Sequence, residues 1–243
     1  MITGRPPALP SHRRRAGGAI LAVLIMAALA AGPLTARGQE DEDRGAFFFG
    51  LNAAAGAFQG DFDGRLTLWH FDKAFAVPPL PGDISLGLSF GQRTRTGQWE
   101  VVFLQASKSV LWQNQNLGVS LSHLEIRGKA WVFPRSPVRP FMCLGFGFPW
   151  LRVTDGARLG GAAENVSYYG GSLVLGGGVL ADLGARLTFS AGAGYRMLWF
   201  LYAFGGGKGR DISKLTPEYG GAFFGRPLKA SRLGLEVSLG VLL

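Results

Sequence analysis

The sequence predicts an all-β fold: an eight-stranded antiparallel transmembrane β-barrel of the up-and-down kind, preceded by a signal peptide. Three observations carry this expectation. The last thirteen residues, SRLGLEVSLGVLL, put Leu233, Leu235, Val237, Leu239, Val241 and Leu243 on one strand face. Arg232, Gly234, Glu236, Ser238 and Gly240 lie on the other, with Leu242 the one apolar exception. A period of two marks a strand, and a charge at mid-strand behind an unbroken aliphatic row fits lipid outside and a polar interior. The same alternation recurs seven more times along the chain. Finally, Arg13, Arg14 and Arg15 precede an apolar run at residues 19–31, followed by Gly32, Pro33 and small residues up to Gly38.

That last order is the n-, h- and c-region order of a secretory signal peptide. The thirteen-residue apolar run falls short of the ~20 residues a membrane-spanning helix needs. Residues 1–38 are therefore expected to be a signal peptide and residues 39–243 a single barrel domain. Cleavage after Ala36 is the alternative to a mature start at Gln39.

Charge and composition exclude several classes. The chain carries 25 basic and 16 acidic residues, net +9. Five arginines (Arg5, Arg13, Arg14, Arg15, Arg37) lie before residue 39, where no acidic residue occurs, so the rest keeps 20 basic against 16 acidic residues. Those that remain form no Lys/Arg run, which argues against nucleic-acid binding. No stretch beyond residue 38 approaches ~20 uninterrupted apolar residues, which excludes a bundle of membrane helices. Cys143 is the only cysteine and is expected to be a small buried strand residue rather than a reactive thiol. No His/Cys/Asp spacing points to a metal, and no cofactor is expected.

The first strand is read at residues 46–58, with Phe47, Phe49, Leu51, Ala53, Ala55 and Ala57 on one face and Gly50, Asn52, Ala54 and Gly56 on the other. The second, at 84–91, alternates Ile84, Leu86, Leu88 and Phe90 with Ser85, Gly87, Ser89 and Gly91. The third starts at Trp99 with Val101 and Phe103 opposite Glu100, and its pattern fades after Gln105. In the fourth, Leu124, Ile126, Gly128, Ala130 and Val132 oppose His123, Glu125, Arg127, Lys129 and Trp131. Its alternation before Ser122 has the opposite phase, which reads as a bulge or as strand above the membrane. The fifth sets Met142, Leu144, Phe146, Phe148 and Trp150 against Cys143, Gly145 and Gly147. The sixth, at 171–181, sets Leu173, Leu175, Val179 and Ala181 against Ser172, Gly176 and Gly178. The seventh sets Leu187, Phe189, Ala191, Ala193, Tyr195, Met197 and Trp199 against Thr188, Ser190, Gly192, Gly194 and Arg196. The eighth is the terminal segment.

Links at 93–97, 134–139 and 182–186 are short. Those at 59–83, 106–118, 152–168 and 203–230 are long. Short turns at one end and long loops at the other is the asymmetry of a membrane barrel with both termini at the turn end. RLTLWHF, residues 65–71, is read as a strand extension or hairpin within the first loop, because a further crossing would reverse that asymmetry.

Glu100, Glu125, Arg127, Lys129, Arg196 and Glu236 all fall on the inner face. Glu125 and Arg196 lie at similar heights, as do Arg127 and Glu236. An eight-stranded barrel is just wide enough for side chains to fill it, and unpaired buried charges are costly. A structural charge network is therefore expected, with a conducting or gated lumen as the alternative. Of the histidines beyond residue 38, His70 has no obvious partner and reads as a loop residue. His123 has Ser120 and Ser122 upstream and Glu125 on its own face. Ser/His/Glu hydrolysis needs a nucleophile, base and carboxylate in hydrogen-bond sequence, and His123 is read as structural. Residues 205–210 (GGGKGR) read as a flexible loop. Trp99, Trp150, Tyr195 and Trp199 read as interfacial aromatics. The last loop carries Lys208, Arg210, Lys214, Arg226 and Lys229 with Phe204, Tyr219, Phe223 and Phe224; it is either a surface for phosphates, sugars or a macromolecule, or a solvated loop.

Segments such as RPFMCLGFGFPW and ADLGARLTFSAGAGYRM, the latter ending its Gly-rich inner face in the pair Tyr195-Arg196, give the chain from residue 39 onward its resemblance to the small OmpA/OmpX-like outer-membrane barrel proteins. The resemblance implies a Gram-negative outer membrane, periplasmic termini, contact with outer-membrane lipids and lipopolysaccharide, and a non-enzymatic structural or surface-interaction role, with a possible surface ligand at the outer loops. A narrow channel for small or apolar solutes and a lipid A-modifying acyl hydrolase or transferase are the alternatives. His123-Leu124-Glu125 stands where lipid A deacylases carry His-x-Ser. Leu243 ends the chain where family members often carry Phe, and no peptidoglycan-binding domain follows the eighth strand.

Overall fold

The computed structural model describes residues 45–243 except 71–72, 82–83, 113–114, 160–161, 206 and 218–221; the expected signal peptide lies outside them. Alternating patterns become strands throughout: β1 Ala46–Gly60, β2 Thr67–His70, β3 Lys73–Ala76, β4 Ile84–Arg93, β5 Gly97–Trp112, β6 Gln115–Trp131, β7 Val138–Leu159, β8 Ala162–Asp182, β9 Leu187–Gly205, β10 Lys208–Asp211 and β11 Leu228–Leu242. Eight of these pair antiparallel in the order β1-β4-β5-β6-β7-β8-β9-β11. The seam between β11 and β1, from Phe48↔Leu242 to Gly60↔Ala230, closes the ring. Closure leaves no unpaired edge, the condition for backbone to sit in lipid.

The pleat then sorts side chains. On β6, Ile126 is 63% exposed while its neighbours Glu125 and Arg127 are 0% and 3% exposed. On β11, Leu233, Leu235, Val237 and Leu239 face out and Arg232 is buried. The outward row from Leu233 to Leu243 covers ten residue steps, ~33 Å along a strand and ~25 Å after a tilt of ~40°. That matches the apolar band of a membrane barrel. An aromatic chain edges it toward the loop end, with ring centroids 5.8 Å apart for Phe103–Trp150, 6.2 Å for Phe148–Trp150, 6.0 Å for Phe148–Tyr169 and 5.2 Å for Tyr169–Phe204.

Three links differ from the sequence reading. Residues 106–118 and 152–168 are not loops: β5 and β6 stay paired to Trp112↔Gln115, and β7 and β8 to Leu159↔Ala162. The second hairpin kinks through a register shift between Val153 and Ala157, where Asp155 has φ 58° and Asn165 Oδ1 accepts its N–H at 3.3 Å. Residues 205–210 form no free loop either, because β10 pairs with β9. RLTLWHF supplies β2, which forms a hairpin with β3 that joins the end of β7 at Ala74↔Arg158.

No bulge occurs at Ser122. The β6 register runs unbroken, and Leu117, Val119 and Leu121 face inward just as Glu125 does. What inverts there is the chemistry of the interior. Toward the loop end the lumen is filled by chain folded back into it: Phe62, Leu68, Phe75, Val77, Ile212 and Leu215 pack with Leu117, Val119, Leu121, Leu151, Tyr168, Leu198, Phe200 and Leu228. Inner-facing residues are apolar wherever this lid meets them.

Candidate functional site

Beneath the lid lies a layer of charge. Residues of one phase on several different strands point into a bore only wide enough for side chains, so they must satisfy one another. Glu125 accepts from Arg196 Nε at 2.9 Å and from Arg127, and His123 Nδ1 lies 2.9 Å from its Oε1. Glu236 accepts from Arg127 Nη1 and from Arg196 Nη2, each at 2.5 Å. Glu100 accepts from Lys129 Nζ at 3.1 Å and from Gln98 Nε2 at 2.7 Å, with Arg127 Nη1 3.7 Å from its other oxygen. The structure thus brings all six inner charges named from the sequence into one connected group. A small cavity of about 30 Å³ beside Arg127, Lys129, Arg196 and Glu236 has room for on the order of one water.

Three further inner residues belong to this layer. Gln98 joins Glu100. Ser172 Oγ lies 2.6 Å from His123 Nε2. Arg232 is 2% exposed, donates to Ser85 Oγ at 3.1 Å, and sits over the Phe58 ring with its carbon 5.3 Å from the centroid. Each lies on the inner phase of its strand, so direction was legible. Partnership was not, because it depends on the stagger between strands.

Ser172, His123 and Glu125 together form a hydroxyl–imidazole–carboxylate line. With Nδ1–H donating to the carboxylate, Nε2 accepts the Ser172 proton, the order a hydrolytic nucleophile requires. Gly147 makes the contact possible, since a Cβ there would stand 2.7 Å from Ser172 Oγ and 2.8 Å from His123 Nε2. However, the surroundings are those of a packed interior. Ser172 and His123 are 2% and 4% exposed, and Leu121 and Tyr168, the buried lid-facing residues on β6 and β8, lie next toward the loop end. Glu125 also accepts from two arginines, so its carboxylate is shared with the charge layer rather than dedicated to orienting His123.

Both ends of the bore are filled. At the turn end Trp131, Phe141, Cys143 and Leu180 cluster, and Asp182 takes Arg93 at 2.7 and 2.9 Å and Arg139 at 3.0 Å. At the loop end, the basic residues of the last loop clamp the lid. Arg226 pairs twice with Asp61, at 2.6 and 2.7 Å, and Lys229 N–H donates to the same carboxylate at 2.8 Å. Arg210 donates to Gly205 O at 3.0 Å and His70 Nδ1 at 3.3 Å and lies over Phe75, so His70 is a partnered strand residue rather than a loop residue. Burial raises the Asp61 pKa, but the Arg226 and Lys229 hydrogen bonds outweigh it and hold the carboxyl below its ordinary value. Among the described residues no His/Cys/Asp/Glu group could hold a metal ion.

A closed eight-stranded antiparallel barrel, apolar outside and filled within, is the class these features define. No protein-family model matches the chain, and neither does any curated protein. Among solved structures, Neisserial surface protein A (NspA) superposes with a TM-score of 0.47 at 14% identity, covering 79% of this chain and 95% of that one. A major outer membrane protein from Thermus thermophilus gives 0.46 at 12% identity, over 80% and 99%. Likenesses this distant carry no functional argument, which rests on the chain's own geometry.

Proposed function

We propose that this protein is a bacterial outer-membrane barrel with a non-enzymatic structural or surface-interaction role and a closed interior. One observation carries the reading: the molecule is inside-out for water. Its charges are buried, while Leu86, Phe90, Ile126, Met142, Phe146, Leu233 and Leu235 stand exposed around a closed ring. A belt of that size is stable only against lipid. The secretory presequence order supports export, and the short-turn end and both chain ends then face the periplasm. The loop end offers exposed Tyr202, Phe204 and Phe223 beside the Arg226 clamp, chemistry suited to lipopolysaccharide sugars and phosphates. Expression in a Gram-negative host tests the assignment: the protein should fractionate with the outer membrane and migrate faster on gels before heating than after. Soluble periplasmic monomer would overturn it.

A second reading, an acyl hydrolase, is favoured by the Ser172–His123–Glu125 line alone. A serine-reactive fluorophosphonate separates the two. Labelling of folded wild type that Ser172→Ala abolishes, with shortened lipid A by mass spectrometry, would support the enzyme; absence of both supports the closed structural barrel.

A further inference from the structure

The interior charges do not balance. Three carboxylates (Glu100, Glu125, Glu236) face four permanent cations (Arg127, Lys129, Arg196, Arg232), and the network consumes the first three cations. Arg232 is left over. It stands directly across from Arg196 in the β9–β11 register, and it makes one hydrogen bond, to Ser85. Its Nε and Nη2 have no acceptor among the described residues, although the side chain is 98% buried (2% exposed). Glu236 and Glu125 act on Arg232 only at a distance, and a buried guanidinium with no carboxylate hydrogen-bonded to it is costly.

The wall around it is made to keep the arginine inside. A Cβ at Gly56 would lie 2.9 Å from Arg232 Nε, and one at Gly234 3.2 Å away, so the two glycines let the side chain lie flat against β1 and β11. The side chain reaches to Ser85, which is paired with Ala54 on β1. Two residues further along β1, buried Asn52 has both side-chain polar atoms unpartnered, and so has the Ser89 hydroxyl on β4. The Arg232 guanidinium and the Ser85 hydroxyl thus meet on the inner wall, and no carboxylate among the described residues accepts from the free Nε and Nη2; Asn52 and Ser89 lie further along β1 and β4, toward the turn end.

We infer that Arg232, with Ser85 beside it, forms a binding site for a small inorganic anion of chloride size inside the barrel. The anion supplies the missing negative charge and accepts the donors the wall leaves free. It is a structural ligand, taken up as the barrel closes, and it stabilises the folded state by linkage.

The test uses the full refolded barrel in detergent, unfolded at constant ionic strength with sodium chloride exchanged for sodium gluconate. Above the dissociation constant, each tenfold rise in chloride should lower the unfolding equilibrium constant by up to tenfold. Arg232→Gln, which keeps a donor for Ser85 and removes the charge, should respond equally to both salts. Crystals grown in bromide should show anomalous scattering within hydrogen-bond distance of Arg232. Equal stability of wild type in both salts, or no bromide at that position, overturns the proposal. So does a chloride response that appears only in Asp83→Asn, which would show that the carboxylate next to β4 in sequence is the counter-charge.

Discussion

Glu125 has no exposed surface yet holds two arginines and a histidine, and Glu236 bridges the same two arginines from the opposite strand. Such a group is expensive to break and cheap to replace whole. Arg127→Ala or Glu236→Ala alone should therefore destabilise the barrel by about 3–5 kcal/mol, because each strands a charge in the bore. The double substitution to neutral residues should recover part of that loss in urea unfolding measurements. Full additivity of the two single changes would contradict the pairing. The Asp61–Arg226 clamp at the lid behaves differently, being partly solvated and worth up to about 1 kcal/mol. Asp61 has a folded pKa held below its unfolded value, so its contribution is present above the unfolded pKa near ~4 and is lost as pH falls through the folded one. Pepsin cleavage of the lid should accelerate more steeply below pH ~4 in wild type than in Asp61→Asn, whose clamp is already weak; parallel profiles would remove Asp61 from that account.

At the scale of elements, the lid depends on tertiary contacts that no local pattern announces. The β2–β3 hairpin is held by Tyr168 O–H donating to Ala76 O at 2.6 Å and by two backbone hydrogen bonds between Trp69 and Thr216, at 2.6 and 3.0 Å. Tyr168→Phe should cost about 1–3 kcal/mol by leaving a buried carbonyl unpaired and should show as faster proteolysis within the hairpin while the barrel stays heat-modifiable. Deleting residues 239–243 acts on the seam, where Leu239 pairs with Leu51 on β1 and Phe189 on β9. The truncated chain should fail to give the compact unheated gel form, since an open edge cannot rest in lipid; normal outer-membrane levels would refute this. The same contrast explains what the sequence could tell. Clean alternation on β4, β9 and β11 has one cause, lipid against a small or polar interior, and could be read directly. On β6 the alternation holds from Asn116 to Trp131 while Leu117, Val119 and Leu121 turn apolar inside, and only the folded-back lid explains that. The six network charges could be assigned to the inner face by parity. Ser172 as the partner of His123, and Arg232 as the cation outside the network, required the register that sets Ser172 two strands from His123 at the same height and Arg232 opposite Arg196 on the adjacent strand.

For the whole molecule, the described residues fill the bore toward both ends, with the lid cluster at the loop end and Trp131, Phe141, Cys143 and Leu180 at the turn end. Planar-bilayer recordings of wild type should show no large steady conductance; stable channels with defined ion selectivity would favour a pore. The interlocking of the first and last long connections through Trp69 and Thr216 has a further consequence, for where the chain can change. Phe62, Leu68, Phe75, Val77 and Leu80 from the first connection and Ile212, Leu215 and Leu228 from the last supply the lid's interior, so lengthening either connection displaces packed side chains. The β5–β6 and β7–β8 hairpins stay paired out to Trp112↔Gln115 and Leu159↔Ala162, and among the described residues the lid cluster takes none of theirs beyond Val110, Leu117, Val153 and Val166. A foreign epitope or a new charge grafted there meets only the small closure entropy of a longer turn. Sequence drift and engineered display therefore have two permissive sites at the loop end, and the other two connections are fixed by what they cover.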